Sequence, residues 1–227
     1  MDTRLKHDRQ VGYSCRWAVV TYTDMGTNER EDDGVMSPLR ASLMVMFVIA
    51  TFTRSGLGEE TPVMQVLMHS GLWVFVVAVL GRFWCLVYMS GRKNSVVIND
   101  GPYALCRHPL YLFTVLVVLG FGMMMGSVIV TLIATAVTAR VLLQQASSEE
   151  RFLISEFGET YRYYMQQTPK FFPRFIRVTT TQSPLTISNL TLRRGLLDVL
   201  LLMSLIPIAG LLAKAQMSGT IPTFPLI

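Results

Sequence analysis

Leu110-Tyr-Leu-Phe-Thr-Val-Leu-Val-Val-Leu-Gly-Phe-Gly-Met-Met-Met-Gly126 runs directly into Ser127-Val-Ile-Val-Thr-Leu-Ile-Ala-Thr-Ala-Val-Thr-Ala139, and Arg140 is the one charge before the apolar run ends at Ala146. Each half is close to one bilayer crossing, because a hydrocarbon core of about 30 Å takes roughly 20 residues of helix. Glycine interrupts helices and lets backbones approach closely, so Gly120, Gly122 and Gly126 signal the turn between them. The stretch reads as a transmembrane helical hairpin, 110–126 and 127–146.

Working outward, three more apolar blocks appear: 38–53, which is short, 63–88, which is long enough to cross with tilt, and 195–213. Of the 227 residues 51% are hydrophobic and only 15% charged, and the mean hydropathy is +0.43. The predicted fold class is all-α: a multi-span transmembrane helical bundle of about five spans. Four regions follow: a polar N-terminal segment 1–37, two spans in 38–94, a core in 95–177, and a linker with the last span in 178–227. The first 37 residues lack an apolar h-region, so no cleavable signal peptide is expected.

Basic residues flank the apolar blocks and form no single stripe, so the net charge of +5 points to positive-inside topology and not to nucleic acid. Arg92, Lys93 and Arg107 precede the hairpin; Arg162, Lys170, Arg174, Arg177, Arg193 and Arg194 follow it. Both segments are expected in the cytoplasm, with the N-terminus inside and the C-terminus outside. Cys15, Cys85 and Cys106 show no CxxC spacing and read as free thiols, giving neither a disulfide framework nor a metal site. Across 147–168, Leu153, Phe157, Tyr161 and Tyr164 mark one face of an amphipathic helix that Gly158 can kink or split. Phe171, Phe172 and Phe175, mixed with Lys170, Arg174 and Arg177, suggest a segment lying at the membrane interface.

Two polar stretches carry chemistry: Gly101-Pro-Tyr-Ala-Leu-Cys-Arg-His-Pro-Leu-Tyr111, and Glu149-Glu-Arg-Phe-Leu-Ile-Ser-Glu-Phe-Gly-Glu-Thr-Tyr-Arg-Tyr-Tyr164. Pro109 suits the first turn of a helix, where its missing N–H costs nothing. His108, preceding a proline, is pushed out of the helical region and sits near the cap. Arg107, His108 and the free N–H groups of a helix start then converge at a membrane boundary, an arrangement that attracts anions. Read blandly, Arg107 and His108 are interfacial anchors, and Tyr103 and Tyr111 belong to an aromatic belt. For Glu150 the structural alternative is a capping box with Ser147. Glu149 is not explained that way; a carboxylate there suits a cationic ligand bearing ribose hydroxyls.

GPYxxxRHPxY, followed about forty residues later by EExxL, FGxxY and an aromatic-proline element, resembles the isoprenylcysteine carboxyl methyltransferase and phospholipid methyltransferase group of membrane enzymes. The resemblance covers 95–173 and implies a cytoplasmic pocket for S-adenosyl-L-methionine. It implies that the strand-like run Ser95, Val96, Val97 and Ile98 wraps the cofactor, that Tyr103 and His108 contact it, and that Glu149, with Glu150 beside it, anchors it. Arg107, His108 and Tyr111 are the implied catalytic group. Two positions depart from the family pattern. Phe113 stands where a glycine is common. Gln145 stands where the prenylcysteine enzymes carry an arginine, implied to hold the acceptor carboxylate. A neutral amide cannot reproduce a guanidinium fork, so with Gln145 as the implied acceptor-binding residue a prenylcysteine carboxylate is not the expected acceptor.

The expected activity is therefore transfer of a methyl group to a hydrophobic or lipid-like acceptor, with membrane lipids as the other partners and no oligomeric state legible. Two rivals stand beside it: a sterol-reductase-like enzyme using NADPH, and a non-catalytic membrane protein with a vestigial pocket. The proline of the RHPxY string and the EExxL favour methyl transfer over the first. The intact Tyr103, His108 and Glu149 argue against the second.

Overall fold

The computed structural model describes residues 53–55, 61–89, 97–174, 189–218 and 224–226. In chain order these form β1 (Thr53–Ser55), α1 (Pro62–Met89), α2 (Pro102–Leu105), α3 (Pro109–Met124), α4 (Val128–Phe157), α5 (Glu159–Gln167), α6 (Asn189–Met203), α7 (Leu205–Met217) and β2 (Phe224–Leu226). The two strands are three-residue segments paired in parallel, Thr53 opposite Phe224; every larger element is helical. The predicted first span, 38–53, lies outside the described residues except for Thr53.

Three segments are long and apolar enough to cross a membrane: α1, α4 and the run Gly195–Leu212, with the shorter apolar α3 beside them. Their outer faces confirm this reading. On α1, Val66, Trp73, Val77 and Leu80 are exposed along one stripe, Trp73 at 70%, while Phe75, Ala78 and Val79 on the opposite side are fully buried. An apolar helix that buries one face and exposes an equally apolar one is at home in lipid.

α1 and α3 run antiparallel, Gly71 lying beside Met123 and Gly81 beside Phe113. Phe75 of α1 meets Phe121 of α3 with ring centroids 6.2 Å apart, and Phe75, Ala78, Val79 and Val117 form the core against Leu116, Phe121, Val199, Leu202 and Ile206. Because lipid tails are as apolar as leucine, association here depends on close packing. Small residues supply it: a Cβ on Gly120 would stand 2.6 Å from the Phe75 nitrogen, and one on Gly71 would stand 2.6 Å from the Met123 Cβ. Gly120 and Gly122 therefore lie inside α3 as contact points, against α1 and Thr131 of α4, and only Gly126, at φ 71°, makes the turn. The aberrant Phe113 is accommodated across the interface, where its ring fills the space left by Gly81.

Two boundaries differ from expectation. The second hairpin helix does not stop at 146; α4 continues without a break to Phe157. At about 1.5 Å per residue its 30 residues span about 45 Å, so roughly the last three turns project beyond the hydrocarbon. Gly158, at φ 53°, then turns the chain into α5, so the amphipathic face drawn over 147–168 is divided between two helices. The last span is likewise broken, between Met203 and Leu205. Pro207 explains it: proline has no N–H for the carbonyl four residues back, Met203, and its ring collides there.

Candidate functional site

α1 ends, α3 and α6 begin, and α4 projects, all at one end of the bundle, and the predicted motifs gather there. His108 is the N-cap of α3 with Pro109 in the first turn, as its pre-proline position dictates. Its ring is buried between two carboxylates: Nε2 donates to Glu150 Oε1 at 3.1 Å, and Nδ1 lies 3.7 Å from Glu149 Oε2. Tyr111, one turn into α3, stacks on the imidazole with centroids 5.5 Å apart and donates to Glu149 Oε2 at 3.0 Å.

The two adjacent glutamates have different surroundings. Glu150 is buried and meets Arg107 NH1 at 2.8 Å, His108 at 3.1 Å and Lys170 Nζ at 3.0 Å. Burial alone raises a carboxyl, yet the hydrogen bonds from His108 and Lys170 and the Arg107 charge outweigh it and hold Glu150 down at about 2. The Glu149 side chain is 39% exposed against 10% for Glu150; it is the accessible carboxylate of the pair. A capping box at Ser147 does not exist, because no helix starts there: α4 is continuous and the Ser147 hydroxyl donates to Leu143 O at 3.0 Å.

The depressed Glu150 predicts an acid limit. A carboxyl held below its ordinary 4.5 contributes stability that is complete above that value and lost as pH falls through its folded value of about 2. Thermal unfolding in detergent should therefore show a midpoint that declines between those limits, and Glu150→Gln should remove that part of the slope.

A strap closes the site. Pro169 O and Lys170 O accept from the Arg107 and His108 amides at 2.9 and 3.2 Å, and Leu105 O accepts from the Arg174 amide at 3.1 Å. The strap carries Phe171, which stacks on His108 with centroids 5.7 Å apart, and Lys170, which also donates to Ser147 at 2.9 Å. The expected interfacial segment is thus corrected for Phe171, which turns into the site, whereas Phe172 is 87% exposed and Phe175 lies outside the described residues. Lys170 and Phe171 were missed as site residues; the one signal for them was the aromatic-proline element that follows FGxxY.

α5 braces the other side. Tyr161 and Tyr164 are buried, and the Tyr164 hydroxyl donates to Tyr103 O at 2.7 Å. Burial pushes both phenols far up, which keeps them protonated donors. Burial also raises the Tyr103 phenol, with Cys85 and the Glu149 charge adding to it. Cys106 is buried and free, its thiol pushed up to about 11 by burial, which makes it a poor nucleophile at neutral pH. Val97 and Ile98 are half-buried in irregular backbone before α2, not in a strand, and Ser95 and Val96 lie outside the described residues. Gln145 lies on α4 one turn before Glu149, half-buried. Arg107 keeps Nε and NH1 buried without a hydrogen-bond partner, its contact with Glu150 being ionic but not aligned.

The profile of the isoprenylcysteine carboxyl methyltransferase family matches residues 62–155. The cobalt-zinc-cadmium resistance protein CzcN of Cupriavidus metallidurans is 35% identical over 165 residues, 70% of this chain and 76% of its own. The chain belongs to the isoprenylcysteine carboxyl methyltransferase family. The nickel-cobalt-cadmium resistance protein NccN of Alcaligenes xylosoxydans xylosoxydans is 31% identical over 79% of this chain and 84% of its own. The protein-S-isoprenylcysteine O-methyltransferase of Schizosaccharomyces pombe is 29% identical over 58% and 54%. No solved structure matches. As a multi-pass member of this methyltransferase family, the chain carries His108, Tyr111, Glu149 and Glu150 within the 62–155 match, while Lys170 and Phe171 fall beyond it.

Proposed function

We propose that this protein transfers a methyl group from S-adenosyl-L-methionine to a hydrophobic or lipid-like acceptor other than a prenylcysteine carboxylate, at the cytoplasmic membrane face. The observation that carries the proposal is the convergence of His108 and Tyr111 on the accessible carboxylate of Glu149, in a chain of a methyltransferase family. The donor set suits this cofactor. Glu149 can accept from an ammonium group or ribose hydroxyls, and the buried, unaligned Nε and NH1 of Arg107 can serve a carboxylate. Tyr103 and Phe171 offer flat apolar surface to a purine. When bound, S-adenosyl-L-methionine supplies a methyl group already activated on a sulfonium.

The protein's part is position and exclusion of water. Glu150, committed to Arg107, His108 and Lys170, fixes the strap over the α3 start. His108, held by Glu150, sets the plane of Tyr111; Tyr111 in turn orients Glu149. Gln145, one turn deeper on α4, meets the acceptor with a neutral amide.

His108→Ala and Glu149→Ala should each lower affinity for S-adenosylhomocysteine by at least about tenfold, since each removes a charged or charge-assisted partner worth ~1.5–3 kcal/mol, while the protein stays folded in detergent. Incubating purified protein and native lipid extract with methyl-labelled cofactor, then identifying the labelled product by mass spectrometry, tests the activity and names the acceptor. A labelled apolar product supports the reading, and label confined to unreacted cofactor opposes it. Because two relatives are named for resistance to cobalt, zinc, cadmium and nickel, growth under those cations is the matching cellular readout.

A further inference from the structure

Arg82 stands inside α1, about 10 Å from its C-terminal end at 1.5 Å per residue, at a depth where an ionised side chain is costly unless it is used. Its Nε and NH2 donate to Asp198 Oδ2 of α6 at 3.4 and 3.1 Å, and its NH1 donates to the Thr114 hydroxyl of α3. A hydroxyl has one proton, and Thr114 spends it on Leu110 O at 2.7 Å. The result is a continuous line, Asp198 to Arg82 to Thr114 to Leu110, from α6 across α1 into the first turn of α3. Tyr111 follows Leu110, and His108 caps that same turn. Asp198 lies beyond the 62–155 family match, so the anchor of this line comes from a part of the chain that the family pattern does not describe.

We propose that Arg82, Thr114 and Asp198 are positioning residues: a hydrogen-bond relay that sets the depth and rotation of the α3 start and thereby the placement of His108 and Tyr111 against Glu149. An apolar contact resists separation but lets helices slide and rotate; an ion pair bonded on to a hydroxyl has one register. The relay rests on the proposed site, though its geometry does not require the cofactor.

Thr114→Val keeps the side-chain shape and leaves the Arg82–Asp198 pair in place; Thr114→Ser keeps the hydroxyl. Hydrogen–deuterium exchange of the full-length protein in detergent should show amides 107–112 opening about tenfold faster in Thr114→Val and Arg82→Gln, with α1 and α6 still protected and Thr114→Ser close to wild type. Affinity for S-adenosylhomocysteine should fall roughly tenfold in the same two variants and return in Thr114→Ser. If wild type binds no S-adenosylhomocysteine yet exchange responds as described, the relay stands and the cofactor reading fails. Wild-type exchange at 107–112 in Thr114→Val overturns the relay, as does protection lost uniformly along the chain.

Discussion

Replacing Glu150 with alanine is expected to disassemble the site without dissolving the bundle. Three side chains converge on this carboxylate, Arg107 as an ion pair and His108 and Lys170 as donors, and it is only 10% exposed. Removing one member of a buried charged network leaves its partners uncompensated, which costs about 3–5 kcal/mol. The loss falls on the strap, because Lys170 and the His108 ring both rest on Glu150 while the α1–α3 core lies elsewhere. Glu150→Ala should therefore release 168–174 to limited proteolysis and lower the unfolding midpoint, with helical circular dichroism retained. Glu150→Gln, which keeps the shape and one acceptor oxygen, should lose less. Retained protease resistance in both variants would show that the strap is held by its backbone bonds alone.

The second large effect is expected in the α1–α3 interface, toward the far end of α3. Gly120→Val places a branched side chain where α1 backbone already sits, 2.6 Å from the Phe75 nitrogen and 2.8 Å from Gly71 O. Backbone cannot move aside as a flexible side chain can, so α1 and α3 must separate. The cost is about 3 kcal/mol or more from overpacking alone, in a membrane bundle held by close contact. Gly210→Ala is the matched control: nothing lies within 4 Å of the added methyl, and alanine favours helix over glycine by about 1 kcal/mol. In detergent the valine variant should unfold or aggregate at temperatures where the alanine variant is intact.

The parts legible in the sequence were those set by local chemistry. Apolar block length marked α1, α3 and α4, pre-proline stereochemistry placed His108 at a cap, and the two polar motifs named His108, Tyr111, Glu149 and Glu150. What the sequence did not show depends on tertiary approach. Gly120 and Gly122 read as turn residues because helix interruption and helix contact leave the same residue type; only the antiparallel packing on Phe75 and Thr131 distinguishes them. The EExxL stretch read as a new helix because polarity rises at Ser147, yet polarity there marks the exit from lipid and not the end of the helix. Pro207 was in plain view within an apolar run, and length outweighed it. Lys170 and Phe171 were assigned to the membrane interface by composition, while their real partners, Glu150 and His108, are contributed by α4 and the start of α3. Arg82 and Asp198 are 116 positions apart and pair only because α6 packs on α1.

The proposed function requires Glu149 to be the accessible carboxylate of a nucleoside-binding site. Titration calorimetry of the purified protein with S-adenosylhomocysteine and, separately, with NADPH tests this directly, using wild type and Glu149→Gln. The prediction is saturable binding of S-adenosylhomocysteine by wild type, none of NADPH, and an affinity at least about tenfold weaker in Glu149→Gln. Binding of NADPH in its place, or equal S-adenosylhomocysteine affinity in the two proteins, would contradict it.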